Sequence, residues 1–207
     1  DYIDPGFHRI ASGHESFNLD SWSMPSQMMG ALLEVASDKD FIVCEGAMGL
    51  FDGGAGKGEC GTGSAADIAA LTGWPVVLVL DVSSQAQSAA AVALGFSALR
   101  ADVQIAGVVL NRVASSRHEA LIRTAMQDAG VPVFGALPRN ADIVLPERHL
   151  GLTQSLELDD REARMSTLGK LVARHVDLDS LLAAARPAQW DAVNAHWPSP
   201  PGQRIAL

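Results

Sequence analysis

Short apolar runs alternate with stretches of helical spacing along most of this chain. Four of the runs are bounded by turn residues and have the length of strands: residues 41–45, 75–81, 103–111 and 131–137. The second run, PVVLVLD, is apolar without interruption, which is typical of a strand buried on both faces. Apolar residues spaced three and four apart predict helices at residues 26–36, 64–71, 84–99, 115–129, 160–175 and 178–185.

This alternation predicts an α/β fold, a doubly wound and mostly parallel sheet with helices on both faces. Ser64 is a plausible N-cap of its helix, Asp67 is favourable in the first turn, and Gly73 should end the helix. Ser115 or Ser116 should cap a later one. We expect residues 1–152 to form the core of one domain and residues 153–186 to add its last helices. The proline-rich residues 187–207 resemble a linker and the start of another domain.

The composition favours a globular protein with a sizeable core and argues against nucleic-acid and membrane partners. With 207 residues, 48% of them hydrophobic, the chain can bury a sizeable core. The net charge of −9 and the lack of a Lys/Arg run argue against a nucleic-acid surface. No apolar run has transmembrane length, so we expect no membrane partner. The two cysteines and six histidines lack metal-ligand spacing, and the cysteines fit a reducing cytoplasm.

Each predicted strand ends in a notable residue. In an open α/β sheet, ligands bind beyond the carboxyl ends of the strands, so these residues should border one crevice. They are Glu45, Asp81, Asn111 and the pair Pro138–Arg139. Each also has a simpler explanation. Asp81 could cap the next helix, Pro138 could only end its strand, and Arg139 could be a solvated charge. Asn111 could satisfy loop backbone, but its amide both donates and accepts, which suits the edge of an adenine.

Two pairs of acids point to metal or phosphate chemistry. In FIVCEGAMGLFDG, Glu45 precedes Asp52 by seven residues, and glycines separate them. A strand that delivers an acid into a glycine-rich loop is typical of a metal or phosphate site, although an acidic strand end with a flexible loop is the simpler alternative. In DYIDPG, Asp1 and Asp4 precede a predicted Pro-Gly turn. Carboxylate oxygens are the ligands that Mg²⁺ prefers, but such a turn is also a common surface element.

The glycine-rich residues 53–63 only superficially resemble a phosphate-binding loop. A P-loop has Lys followed by Ser or Thr, whereas Lys57 is followed by Gly58. Phe51 also stands where the first glycine of that motif would be. We therefore predict a mobile loop, able to act as a lid over the site.

Several motifs together resemble one known family. DYIDPGFH, EGAMGLFDG, GSAAD, LNRVASSRHE, GALPR and LPERHLGL follow one another in this order. They resemble the cobyrinic (or hydrogenobyrinic) acid a,c-diamide synthases, glutamine-dependent amidoligases of cobalamin biosynthesis with a dethiobiotin-synthetase-like P-loop fold. The resemblance implies ATP and Mg²⁺ as cofactors, and the following roles. Asp1, Asp4 and Glu45 hold Mg²⁺-ATP, Asp52 acts with Glu45 on the reacting groups, Tyr2 and Ile3 lie beside the substrate, and Asn111 and Pro138, with Arg139, border the nucleotide.

The resemblance also implies the reaction and its partners. ATP would phosphorylate the a and c acetates of the corrinoid, and ammonia made from glutamine in a second domain would attack the acyl phosphate. The family has a strand and P-loop before DYIDP and a glutaminase domain after the linker, so we interpret this sequence as a fragment, inactive alone. Sheet edges exposed in such a fragment favour self-pairing, and a homodimer is possible. The alternatives are a nucleotide-dependent switch or partitioning ATPase of related fold, and an inactive remnant.

Overall fold

A computed structural model describes residues 3–140, 147–148, 151–152 and 157–190, the two dipeptides by backbone only. These residues divide into two compact units. The sheet unit comprises the described residues up to 16 and from 74 to 187. The loop unit comprises residues 17–73 and 188–190.

The helices and strands follow one another in the order expected of an α/β fold. They are α1 (Asp4–Ser12), α2 (Ser26–Val35), α3 (Ala65–Thr72), β1 (Val76–Asp81), α4 (Ser88–Leu99), β2 (Ile105–Val113), α5 (Ser116–Asp128), β3 (Val133–Pro138), β4 (Glu147–Arg148), β5 (Gly151–Leu152), α6 (Arg161–His175) and α7 (Leu178–Ala184). The six predicted helices and three of the four predicted strands are present within a few residues of their expected bounds. The small antiparallel pair β4–β5 was not predicted.

The sheet unit is built on three parallel strands in the order β1-β2-β3. Both crossovers step in the same direction, so right-handed connections place α4 and α5 on one face, where they pack on each other. Helices α6 and α7 pack against β3. There, Val109, Phe134 and Val176 form a buried cluster. Val108 and Leu110 alternate with Val109 and are fully buried toward the opposite face. The predicted parallel sheet with helices on both faces is therefore confirmed.

Two expectations about strands were wrong. Residues 41–45 form no strand, and Phe41, Ile42 and Val43 are 39%, 38% and 80% exposed. The apolar composition was right for a strand, but a strand also needs a neighbour to pair its backbone, and no described segment pairs with these residues. Strand β1 is not buried on both faces either, since Val79 is 64% exposed. It lies at one end of the three-stranded sheet.

The predicted turn at Pro5–Gly6 is instead the first turn of helix α1. Proline is tolerated there because the first amides of a helix have no partner within the helix, and its φ is already helical. The Gly6 N–H donates to the Ile3 carbonyl oxygen at 3.1 Å, which starts the helix. Asp4 occupies the first turn, where a negative charge is favourable.

The predicted helix ends are confirmed. The Ser64 side chain accepts the Asp67 N–H, and the Asp67 carboxylate accepts the Ser64 N–H, which makes a reciprocal capping box. Gly73, with φ 68°, ends the same helix in the left-handed conformation. Ser115 caps α5 by accepting the His118 N–H.

Candidate functional site

The carboxyl edge of the sheet brings four of the five predicted strand-end residues together, whereas the fifth, Glu45, follows no strand and lies in the loop unit. Asp81 is the register partner of Asn111, and Val113 is the partner of Pro138. The Arg139 N–H extends this pairing by donating to the Val113 carbonyl oxygen at 2.9 Å. The same edge of the sheet therefore contains Asp81, Asn111, Pro138 and Arg139, as predicted. The roles of these residues in binding stay predictions.

Asp81 is held by the loop that follows it and by the neighbouring strand. Its Oδ1 accepts the Ser83 N–H at 2.9 Å, and its Oδ2 lies 3.1 Å from Arg112 Nη1. Hydrogen bonds from Ser83, and then the Arg112 guanidinium, lower the pKa of the exposed Asp81 carboxyl. Helix α4 has Gln87 as its N-cap residue, so Asp81 stabilises a turn rather than capping that helix. An exposed ion pair adds little stability, but it orients the two strand ends.

Arg112 has an unusual backbone conformation. Its φ is 61°, in the left-handed region that bulky residues rarely adopt and that costs about 1–2 kcal/mol. In this conformation the Arg112 N–H donates to Asn111 Oδ1 at 2.9 Å and orients the amide. Such strain is concentrated at functional sites. This bond fits the simpler explanation of Asn111, that its side chain satisfies loop backbone. Among the contacts of the described residues, it occupies one of the four hydrogen-bonding positions of the amide.

Sequence reasoning missed His118, which joins two loops at this edge. Its Nδ1 lies 3.1 Å from the Ala114 N–H nitrogen, and its Nε2 lies 2.5 Å from the Gln85 carbonyl oxygen. Gln85 belongs to the loop after β1, and Ala114 to the turn after β2. The histidines were considered only for metal-ligand spacing, and no local pattern marks a contact 33 residues away.

Glu45 and Asp52 lie in the loop unit, and both are exposed. The Asp52 N–H donates to the Gly49 carbonyl oxygen at 2.9 Å, closing a tight turn. A Cβ added at Gly49 would overlap Asp52 Oδ2, so a larger residue at this position would require the carboxylate to move. The Leu50 carbonyl oxygen accepts the Ala66 N–H at 2.8 Å, which ties the turn to the start of α3.

Backbone hydrogen bonds hold residues 53–63 within the loop unit, and the predicted mobility of this loop stays a prediction. The Gly54 N–H donates to the Thr62 carbonyl oxygen at 2.7 Å. The Glu59 and Cys60 N–H groups donate to the carbonyl oxygens of residues 22 and 21, at 2.9 and 2.8 Å. These bonds link the glycine-rich loop to residues 21 and 22, a contact that its composition did not indicate.

Asp67 is the polar centre of the loop unit. Its Oδ2 accepts the Thr62 N–H at 2.7 Å and the Thr62 hydroxyl at 3.0 Å. The Ser21 hydroxyl and the Ser64 N–H donate to the same oxygen, each at 3.3 Å. One carboxylate thus joins the segment at residue 21, the glycine-rich loop and helix α3. The sequence suggested only its place in the first turn of the helix.

The proposed metal ligands are only partly described. Asp1 and Tyr2 lie outside the described residues, Ile3 is the N-cap residue of α1, and Asp4 begins that helix. Within the described ranges, no group of three or more His, Cys, Asp and Glu is placed to hold a metal ion. The set of Asp1, Asp4 and Glu45 has the oxygen chemistry that Mg²⁺ prefers and stays a prediction. None of the described helices is long and apolar enough to cross a membrane.

Curated proteins match this chain along its whole length, and a family model matches most of it. A family model described as an AAA domain matches residues 11–147. A protein of Rhodobacter capsulatus named hydrogenobyrinate a,c-diamide synthase is 52% identical over 207 residues, covering 100% of this chain and 47% of that protein. Proteins of the same name from Mesorhizobium japonicum and Brucella anthropi are 51% and 46% identical, covering all of this chain and 47% and 48% of their own lengths. The chain spans about half the length of the curated relatives it matches. No solved structure matches it.

Proposed function

Because this chain belongs to the AAA domain family, we propose that it forms the nucleotide-binding part of an a,c-diamide synthase that amidates hydrogenobyrinic or cobyrinic acid. The observation that carries the proposal is the 46–52% identity, along the entire chain, to proteins named for that reaction. Their names favour hydrogenobyrinic acid as the substrate.

The proposed chemistry uses ATP and glutamine. An acetate oxygen of the corrinoid attacks the γ-phosphorus of ATP, and ADP leaves, which gives an acyl phosphate. Ammonia released from glutamine by a glutaminase domain attacks the acyl carbon, and phosphate leaves as the amide forms. Phosphoryl transfer of this kind needs positioning and charge neutralisation more than covalent help from the protein.

The carboxyl edge of the sheet supports a nucleotide pocket. Asn111 and Pro138 are half-buried, and Arg139 is exposed beside them. Ligands of open α/β sheets bind at this edge. We propose that the Asn111 amide recognises adenine, that Pro138 lines the pocket, and that Arg139 lies over the nucleotide. The positioned backbone of Arg112 favours this role, since it orients the amide before any ligand arrives.

The acids have separate proposed roles. Asp1, Asp4 and Glu45 would hold Mg²⁺, which supplies charge neutralisation to the phosphates. Asp52, folded over Gly49 in a fixed turn, would orient the reacting carboxylate together with Glu45. Tyr2 and Ile3 would lie beside the corrinoid. We place the reaction in the cytoplasm, and a homodimer is compatible with this proposal.

The test is amidation by the protein produced from its complete native gene. Product masses are followed with ATP, glutamine and the corrinoid, each also omitted in turn. We expect turnover to require all three, and Asp52→Asn to reduce kcat at least about 100-fold, as for loss of a group that orients the reacting atoms. Asp128→Asn, an exposed change at the end of α5, is the matched control.

The result that would refute the proposal is ATP turnover without dependence on the corrinoid. If such turnover also survived Asp52→Asn, it would favour a nucleotide-dependent switch instead. Loss of corrinoid amidation in the Asp128→Asn control would show that any charge change harms the protein, and the assignment of Asp52 would then fail.

A further inference from the structure

The hydrogen bonds of His118 define the state of its ring. The Ala114 backbone N–H can only donate, so Nδ1, 3.1 Å away, accepts and carries no proton. The Gln85 carbonyl oxygen can only accept, so Nε2 carries the proton and donates. Both partners are backbone groups, and both contacts are satisfied together only by a neutral ring protonated on Nε2.

This ring connects the loops that follow β1 and β2. Two further links join the same strand ends: the Val82 N–H donates to the Asn111 carbonyl oxygen at 3.0 Å, and Arg112 pairs with Asp81. The Arg112 pair is exposed on both sides and is therefore weak. His118 is half-buried, and its contact reaches farther along the loop, to Gln85.

We propose that His118 is a positioning residue for the nucleotide: its neutral ring fixes the β1–α4 loop against the β2–α5 turn, and so holds Asn111 in its binding orientation. The inference rests on the proposed function, because it takes Asn111 as the adenine-recognising side chain. His118 itself touches no reacting atom. Its loss weakens nucleotide binding without removing a group from the phosphoryl-transfer step.

Three variants separate the two contacts of the ring. His118→Ala removes both, His118→Asn keeps an acceptor near the Nδ1 position, and His118→Gln keeps a donor near the Nε2 position. We expect His118→Ala to raise the KM for ATP about tenfold with kcat changed less than about threefold, the pattern of lost uniform binding. We expect the KM for ATP of His118→Gln to lie closer to the wild-type value than that of His118→Asn. The reason is that the contact kept by Gln, with the Gln85 carbonyl oxygen, is the one that joins the two loops. His14→Ala, at an exposed histidine, is the matched control.

A second measurement needs no variant. Long-range ¹H–¹⁵N spectra of the complete protein report which ring nitrogen carries the proton. We expect His118 to show a protonated Nε2 and an unprotonated Nδ1 near neutral pH, and slow hydrogen exchange of the Ala114 amide. The opposite tautomer, or a mixture, would overturn the inference even if His118→Ala failed to fold.

The kinetic outcomes also decide between the two proposals. An active wild-type protein whose KM for ATP is unchanged in His118→Ala would refute the positioning role alone. A fall in kcat and in thermal stability at constant KM would mean that His118 is merely structural, and would refute it as well. A wild-type protein without corrinoid-dependent turnover refutes the proposed function, and the inference falls with it.

Discussion

Removal of the Asp67 carboxylate should loosen the loop unit more than any other single polar substitution there. Four donors converge on its Oδ2, two of them from Thr62 at 2.7 and 3.0 Å. A hydrogen bond to a charged group contributes about 1.5–3 kcal/mol, and bonds that share one acceptor are not additive. Counting mainly the two short bonds, we expect Asp67→Ala to lower the free energy of unfolding by about 3 kcal/mol. Asp67→Asn, which keeps one acceptor oxygen but loses the charge, should cost about half as much.

The assay combines urea unfolding with hydrogen exchange followed by mass spectrometry. Unfolding curves give the change in free energy, and exchange in peptides covering residues 58–73 locates it. We expect faster exchange at Thr62, whose N–H donates to the carboxylate, and at Ala66, whose N–H donates to Leu50 at the first turn of the same helix. The control is Asp128→Ala, an exposed change that should alter stability by less than about 0.5 kcal/mol.

Two results would refute this reasoning about Asp67. A loss below about 0.5 kcal/mol in Asp67→Ala would show that the converging bonds are exchanged for water at no cost. Equal and uniform acceleration of exchange along the whole chain would show that Asp67 stabilises the protein generally and does not hold this loop in particular.

Two further predictions concern one carboxylate in each unit, Asp52 in the loop unit and Asp81 in the sheet unit. Gly49→Ala should displace Asp52, because the new Cβ overlaps its Oδ2, and should reduce amidation, whereas Gly56→Ala, with nothing within 4 Å, should leave activity and the circular dichroism spectrum unchanged. The lowered pKa of Asp81 stabilises the fold at pH values above about 3.9, its unfolded value, and this contribution disappears as the pH falls through the folded-state pKa. The urea midpoint of Asp81→Asn should therefore lie below that of the wild type at pH 6 and converge with it as the pH falls through the folded-state pKa of Asp81. A difference that stays constant over this whole range would contradict the linkage.

Local signals in the sequence predicted local structure well. The capping pair of Ser64 and Asp67 and the stop at Gly73 depend on groups within one or two helical turns, so the sequence contains all the atoms that matter. The position of the strand ends was equally predictable from the sequence, because parallel strands in register bring Asp81 beside Asn111 whatever the conformation of the loops.

Two of the three failures concern a distant partner. The apolar residues 41–45 have the composition of a strand, but pairing depends on another backbone segment that the run itself cannot specify. Pro5 was interpreted as a turn residue, although the same fixed φ suits the first turn of a helix. His118 was missed because its contact with Gln85 spans 33 residues and involves a backbone oxygen, which leaves no side-chain pattern to recognise.

Two glycines of the loop unit allow close packing as well as backbone flexibility. Glycine was taken as a source of flexibility, yet a Cβ at Gly61 would lie 2.5 Å from Asp67 Oδ2, and a Cβ at Gly49 would overlap the Asp52 carboxylate. At both positions the missing side chain makes room for a carboxylate that approaches the backbone closely. One of these acids stabilises the loop, and the other is the proposed orienting group. At Gly61 and Gly49 the absence of a side chain therefore has a packing reason, and at Gly49 it leaves room for Asp52 in the position that its proposed role requires.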